Sequence, residues 1–234
     1  MKSFKQYLTE ARGPNLHLEH LEDEILNGGV DGTRGAINFL RSLRDMLGGH
    51  TQSPVNVSVK WDGAPAIYAG YLPGTDTFFV ATKGLFNKEP KYATTHAEID
   101  EKFHSGLAPK LHMALDHFPK LGIKGIVQGD LMFTKDDLKK VKIHGEQYII
   151  FQPNTIVYAV PVKSHLAREI MRSKIGVVWH TGYRGDSLDS LKTEYNINTS
   201  YMKEISSVWH QDARFEDVSG KATFTEKETV ALNK

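Results

Sequence analysis

The chain has no cysteine among its 234 residues. Disulfides, thiolate zinc sites and cysteine nucleophiles are therefore excluded. It also has no apolar run near the roughly 20 residues that a bilayer-spanning helix needs. The opening stretch, Met1–Arg12, is amphipathic and lacks the continuous apolar core of a secretory signal. Together these absences lead to the expectation of a cytoplasmic protein without a membrane partner. Charge of either sign is not in excess: the net value is +1, so no global field draws a polyanion. Contact with nucleic acid must then come from local patches. Neither G-x-S-x-G nor H-E-x-x-H occurs, and Gly28-Gly29-Val30-Asp31-Gly32 lacks the lysine and the serine or threonine of a phosphate-binding loop.

What is present is an ordinary globular composition, with 40% hydrophobic and 24% charged residues. Apolar residues recur at helical spacing in residues 3–12, 15–27 and 33–47, with Gly28-Gly29 and Gly48-Gly49 as stops. The first fifty residues thus read as a helical N-terminal segment, followed by a domain over 51–234. From Val55 the period changes to two. Val55, Val57 and Val59 alternate with Asn56, Ser58 and Lys60, the pattern of a half-buried strand. Further strands are expected at 66–71, 77–83, 124–133, 147–152, 155–160 and 175–180. Helices are expected at 97–118, 164–173, 186–195 and 225–233. This order predicts an α+β fold with mainly antiparallel strands.

The sharpest chemical feature is Lys60-Trp61-Asp62-Gly63 at the end of the first strand. A K-x-D-G string arises by chance in a chain of this size roughly once in twenty, at average residue usage. Alternation puts Lys60 on the polar face with Asn56 and Ser58. Asp62-Gly63 then turns the chain and leaves the lysine at the rim of a sheet. A lysine attacks phosphorus only as the neutral amine, and a covalent lysine intermediate divides one hard transfer into two easier ones. The plainer reading is a solvated strand-end lysine before an Asp-Gly turn.

Three later segments bear on the choice. Ala81-Thr82-Lys83-Gly84 closes a strand. Gly125-Ile126-Val127-Gln128-Gly129-Asp130-Leu131 is a strand carrying an acid. Ile150-Phe151-Gln152-Pro153-Asn154-Thr155-Ile156-Val157-Tyr158 is an aromatic strand and turn. With Lys60-Trp61-Asp62-Gly63, these resemble, in order and approximate spacing, the motifs of the covalent nucleotidyltransferase superfamily of ATP-dependent DNA ligases, RNA ligases and capping enzymes.

That resemblance implies a ligase-type adenylation domain with ATP and Mg²⁺ as cofactors and RNA or DNA ends as partners. It implies Lys60 as the nucleophile that takes AMP and Asp62 as the acid that orients the lysine or a metal-bound water. Gly63 and Lys83 would lie at the nucleotide, and Asp130 at the ribose or metal. Phe151 would stack on the base. Lys83 stands where arginine is usual, which removes bidentate phosphate contact, and Asp130 replaces the usual glutamate. The family's last two motifs have only weak counterparts, Lys174–His180 and Val218–Lys221. The chain is therefore expected to be a truncated or split version. As a whole the sequence also resembles proteins of tailed bacteriophages, which implies the host cytoplasm.

Lys135, Lys139, Lys140 and Lys142 form a basic patch that could meet a phosphate backbone, or simply a charged hairpin. His17, Glu19, His20, Glu22, Asp23 and Glu24 crowd one helix without a third metal ligand at a recognisable spacing, so a solvated face is expected there. Two alternatives to an enzyme stand: a non-catalytic module binding nucleotide or nucleic acid in the same cleft, and a structural or assembly protein of the virion.

Overall fold

A computed structural model describes residues 21–47, 58–194, 197–214 and 230–231. The chain divides into two compact units, residues 1–57 with 216–234, and residues 58–215. Of the first unit, helix α1 (Leu21–Leu47) is described. It carries Glu22, Asp23 and Glu24 in its first turn and Arg44 in its last, which complements the helix dipole. The expected stop at Gly28-Gly29 is a kink: Gly29 leaves helical geometry at φ 56°, ψ −132°, a conformation that glycine adopts without a Cβ penalty. The expected helix over 3–12 and the residues Val55–Val57 lie outside the described residues.

The larger unit is mixed α and β with mainly antiparallel strands. Its main sheet contains β1 (Ala66–Tyr71), β2 (Phe78–Ala81), β3 (Tyr92–Ala93), β4 (Ile126–Thr134), β8 (Ile175–Arg184), β9 (Lys192–Glu194) and β10 (Val208–Asp212). Their order is β10-β8-β4-β1-β2-β3, with β9 beside the far end of β8. Every pairing is antiparallel except β10 with β8. A second sheet, β5 (Lys139–Ile143), β6 (Glu146–Phe151) and β7 (Tyr158–Pro161), is a meander. Helices α2 (His96–Lys102), α3 (Ala108–His117) and α4 (His165–Arg172) complete the unit.

Alternation along the strands explains the layering. Ile67, Val80, Val127, Leu131, Val177 and Trp179 face one side and share a core with Ile99, Leu111, Ala114 and Phe118 of α2, α3 and the turn after them. Burying each large side chain contributes about 1.5–3 kcal/mol. Residues of opposite parity enter two other clusters, and register shifts in the β4–β8 pairing turn Phe133 and Tyr183 into them as well. Phe133, Val178 and Trp209 pack with Ile149, Phe151 and Val160 of the second sheet and with Ala167 and Ile170 of α4. Tyr68, Phe79, Ile126 and Tyr183 form the third. Central strand β4 is buried along its length except at Gln128 and Asp130. A polar gap in an otherwise covered strand marks where the sheet stays open.

Three expectations change in the structure. The helix expected over 97–118 is two, because Ser105 takes φ 52° and breaks the chain between them. The helix expected over 186–195 is a short 3₁₀ turn followed by β9, whose Glu194 and Thr193 pair with Gly182 and Tyr183. The strand expected at 175–180 runs on to Arg184. Pairing to a neighbour decides both of the latter, and no local pattern reveals it.

Helix α2 is pinned at its start. Glu98 receives Lys102 Nζ at 2.9 Å, Thr94 N at 2.6 Å and Thr94 Oγ1 at 2.7 Å. The Lys102 hydrogen bond, then those from Thr94, lower its carboxyl from 4.5 to about 2. A carboxylate lowered in the folded state stabilises above its unfolded value, and the contribution is lost as pH falls from 4.5 through about 2. Glu98→Gln is expected to flatten the acid limb of stability over that window. Denaturant midpoints of the two proteins against pH check it.

Candidate functional site

The Lys60–Gly63 segment leads into β1 and is fastened from two directions. Upstream, Val59 N donates to the Ala213 carbonyl at 2.7 Å, and Ser58 bridges Arg214. Downstream, Ala64 N donates to the Leu131 carbonyl at 3.0 Å and Leu131 N to the Pro65 carbonyl at 3.1 Å. These bonds carry the β1–β4 pairing past its last register pair, Ala66 with Asp130. Lys60 itself is exposed and is left at the rim.

Gly63 makes the closest approach. A Cβ built on it would stand 2.4 Å from Asp130 Cβ and 3.1 Å from the Leu131 carbonyl oxygen. Only a bare α-carbon lets the segment lie directly on Asp130. Two residues far apart in sequence are thus in contact through a missing side chain.

Asp62 joins the segment to the turn between β6 and β7. Its Oδ1 accepts from Asn154 Nδ2 at 2.8 Å, and its Oδ2 from Thr155 N and Ile156 N, each at 2.7 Å. The backbone N–H of Ile156, then the Asn154 amide, hold this carboxyl below its ordinary 3.8, helped by Thr155 and the nearby charge of Lys60 and opposed by desolvation. Asp62 N donates to Tyr158 Oη at 3.0 Å. Trp61 stacks on Tyr158 with ring centroids 5.6 Å apart and planes at 22°. Its carboxylate thus clamps the Asn154–Ile156 turn.

Asp130 is half-buried, with His180 Nε2 3.7 Å from its Oδ1. His180 Nδ1 lies 2.7 Å from Thr181 Oγ1, so the ring is held with its other nitrogen toward the carboxylate. Burial, opposed by the hydrogen bond with Tyr183, and then the Asp130 charge push the Tyr68 hydroxyl up. Gln128, one step along the same face, accepts from Tyr183 Oη at 2.6 Å. Lys83 opens a 3₁₀ turn just past β2, where Ala81 pairs with Tyr68. It is exposed, and among the described residues no hydrogen bond or ion pair joins it to Lys60 or Asp130.

Phe151 does not present a free ring. It is 4% exposed, stacked on Tyr158 at 5.2 Å and tilted against Phe133 at 5.0 Å. The reading of Phe151 as a base-stacking ring is therefore corrected: hydrophobic burial at the sheet–sheet interface takes both its faces. It backs a row of rings running Trp61–Tyr158–Phe151–Phe133–Trp209. Half-buried Trp61 and Tyr158 form the outer end. Sequence reasoning assigned no role to Trp61, Tyr158, Asn154 or His180. The first three lie inside the quoted motifs, and that placement was the available signal. His180 had none beyond its position in a weak motif match.

The structure therefore joins Lys60–Gly63, Asp130 and the Asn154–Tyr158 turn at one place, and among the described residues no hydrogen bond or ion pair ties Lys83 to them. Among the described residues, no helix is long and apolar enough to cross a membrane, and no group of three or more His, Asp or Glu residues could hold a metal. The early-helix histidines, His17 and His20, lie outside the described residues.

Fold and site together define a two-sheet α+β unit with a K-x-D-G segment seated on the acid of a central strand. The chain belongs to the family described as a family of unknown function (DUF6267), whose model matches residues 15–234. No curated protein and no solved structure matches it.

The Asp62 clamp gives a direct expectation. Asp62→Ala leaves the Thr155 and Ile156 amides without their acceptor, and their hydrogen exchange is expected to rise while that of β8 stays unchanged. In the unsubstituted protein the same loosening is expected in acid. A lowered carboxyl contributes above its unfolded value and loses the contribution as pH falls below about 3.8. Amide exchange resolved by residue checks both.

Proposed function

We propose that residues 58–215 form a ligase-type adenylation domain, and that the chain is a polynucleotide-ligase-like nucleotidyltransferase. Lys60 forms a lysyl-AMP intermediate from ATP, and AMP then passes to the 5′-phosphate of an RNA or DNA end. The observation that carries this reading is the seating of Gly63 against Asp130 together with the Asp62 clamp on the Asn154–Ile156 turn. Three segments picked out for their resemblance to ligase motifs are in contact, although they lie far apart in sequence.

The chemistry is balanced in two steps. The neutral Nζ of Lys60 attacks the α-phosphorus and forms an N–P bond. The bond from that phosphorus to the bridging oxygen breaks, pyrophosphate leaves with the electron pair, and the amine proton passes to solvent. A 5′-phosphate oxygen then attacks the same phosphorus, the N–P bond breaks, and the amine regains a proton. Asp62 and Gly63 hold the backbone that aims Lys60. Asp130 and Lys83 meet the sugar and phosphates. Mg²⁺, when bound, screens the phosphates and aids pyrophosphate departure. Asp130 offers one carboxylate to such an ion, a donor set that fits Mg²⁺ held mainly by substrate phosphates and water.

The exposed Lys139, Lys140 and Lys142 on edge strand β5 would meet the nucleic-acid backbone. Lys135 is less free for that task, since its Nζ donates to the Met171 carbonyl.

One observation favours a second reading, a nucleotide-binding module without transfer. The Asp62 carboxylate accepts three hydrogen bonds from the turn, and among the described residues no ion pair joins it to Lys60. Incubation of the full chain with α-labelled ATP and Mg²⁺ separates the two. A covalent AMP adduct mapped to Lys60 supports transfer. Saturable ATP binding without an adduct supports the module, and absence of both sinks the site.

A further inference from the structure

Away from this site, on the outer side of α2 and α3, four side chains form a continuous hydrogen-bonded row. His96 Nε2 lies 3.0 Å from Asp116 Oδ1, His96 Nδ1 lies 2.7 Å from His112 Nδ1, and His112 Nε2 lies 2.8 Å from Asp100 Oδ1. The row crosses between the helices at each of its links, since His96 and Asp100 belong to α2 and His112 and Asp116 to α3. The ring planes differ by 22° and the centroids are 4.9 Å apart. The centroids stand well beyond the nitrogen separation, so the rings meet rim to rim through their Nδ1 atoms rather than face to face.

The donors and acceptors can be counted. A carboxylate only accepts, so each Nε2 must carry a hydrogen. Two ring nitrogens at 2.7 Å need one hydrogen between them, because two lone pairs or two N–H groups would repel. The four ring nitrogens therefore hold three hydrogens. The pair carries a single positive charge between two carboxylates, and either ring can own the central hydrogen. A metal-chelating reading fits less well. The two Nδ1 atoms aim at each other rather than at a common third point, and no third ligand converges on them among the described residues.

We propose that His96 and His112 form a shared-proton pair that latches α2 to α3 over the main core and opens when a second proton arrives. Doubly protonated, the pair has two N–H donors head to head with no acceptor between them, and two positive charges in contact. The rings must then part. Both are reachable by solvent, with side-chain exposures of 53% for His96 and 27% for His112. The charged and titratable neighbours are few. Asp100 and Asp116 are bound to the pair, Glu98 and Lys102 to each other, and Lys102 lies over Tyr92 of β3. Glu101, His104, Lys110 and His117 complete the set on the two helices and their link. The helices carry Ile99, Leu111 and Ala114 into the core, so opening the latch loosens the cover of the main sheet on that side. The proposal is independent of the assignment of Lys60.

Nuclear magnetic resonance on the nitrogen-labelled full chain tests it. At neutral pH a through-hydrogen-bond coupling between the two Nδ1 atoms is expected, with both Nε2 atoms protonated. On acidification the coupling should vanish, and amide exchange in α2 and α3 should rise about fivefold or more, the lower end of typical coupling between linked sites. Exchange in α4 serves as the unchanged reference. His112→Gln, a substitution at a partly exposed position, should abolish the acid-dependent rise. Absence of the coupling at neutral pH overturns the shared proton. A rise that persists unchanged in His112→Gln overturns the latch.

Discussion

Lys60→Ala is expected to abolish labelled AMP transfer, by more than about a thousandfold, as removal of a nucleophile does. It should leave the protein folded. Lys60 is exposed and the contacts that fix its segment come from Val59, Trp61, Asp62 and Gly63. Substitution at such a surface position costs within about 0.5 kcal/mol. Lys60→Arg sharpens the experiment. Arginine keeps the positive charge but stays protonated and cannot attack phosphorus. It should therefore retain ATP binding while forming no adduct. Quantifying adduct by mass and binding by calorimetry in the three proteins distinguishes a nucleophile from a mere phosphate-binding cation. An adduct that survives in Lys60→Ala would place the chemistry on another residue.

Gly63→Ala is expected to have the largest structural effect for the smallest change. The added methyl would meet Asp130 Cβ at 2.4 Å and backbone atoms of Asp130 and Leu131 at 3.1 Å. None of these is the end of a flexible side chain, so β4 and the Lys60 segment must part. Overpacking of this kind costs about 1–3 kcal/mol. For a unit of this size that lowers Tm by about 2–4 °C per kcal/mol. The same movement withdraws Asp130 from the segment, so adduct formation should fall more than stability alone explains. Gly176→Ala is the control. Its methyl would strike the Phe133 ring at 2.2 Å and destabilise the unit without touching the Gly63–Asp130 contact. Equal adduct levels in the two variants at matched folded fraction would show that the contact has no functional weight.

Much of the architecture could be read along the chain because burial leaves apolar runs and periods. The apolar runs in 66–71 and 77–83 hold β1 and β2, buried on both faces over most of their length, with Gly74 in the turn between them. The run after Ser164 is α4, capped by that serine through the Ala167 amide. Positions 139–143 and 208–212 escaped notice as strands. Lys139-Lys140-Val141-Lys142 is an exposed edge that carries charge where a buried strand would carry apolar residues. Val208–Asp212 owes its form to parallel pairing with β8, a long-range contact.

For the candidate site, the chain alone supplied the cast: a lysine two residues before an Asp-Gly pair, an acid on a later strand, and an aromatic strand leading into a turn. Residue types and their order fix what chemistry is available, and those are local properties. Only the tertiary structure decided the roles. It put the absent side chain of Gly63 on Asp130, spent the Asp62 carboxylate on three donors from the Asn154 turn, and buried Phe151 behind Tyr158. It also brought His180 to Asp130. Which groups meet, and which face of a ring remains free, depends on how two sheets pack. That packing is set by the sum of many apolar contacts across the unit, so no single motif can announce it.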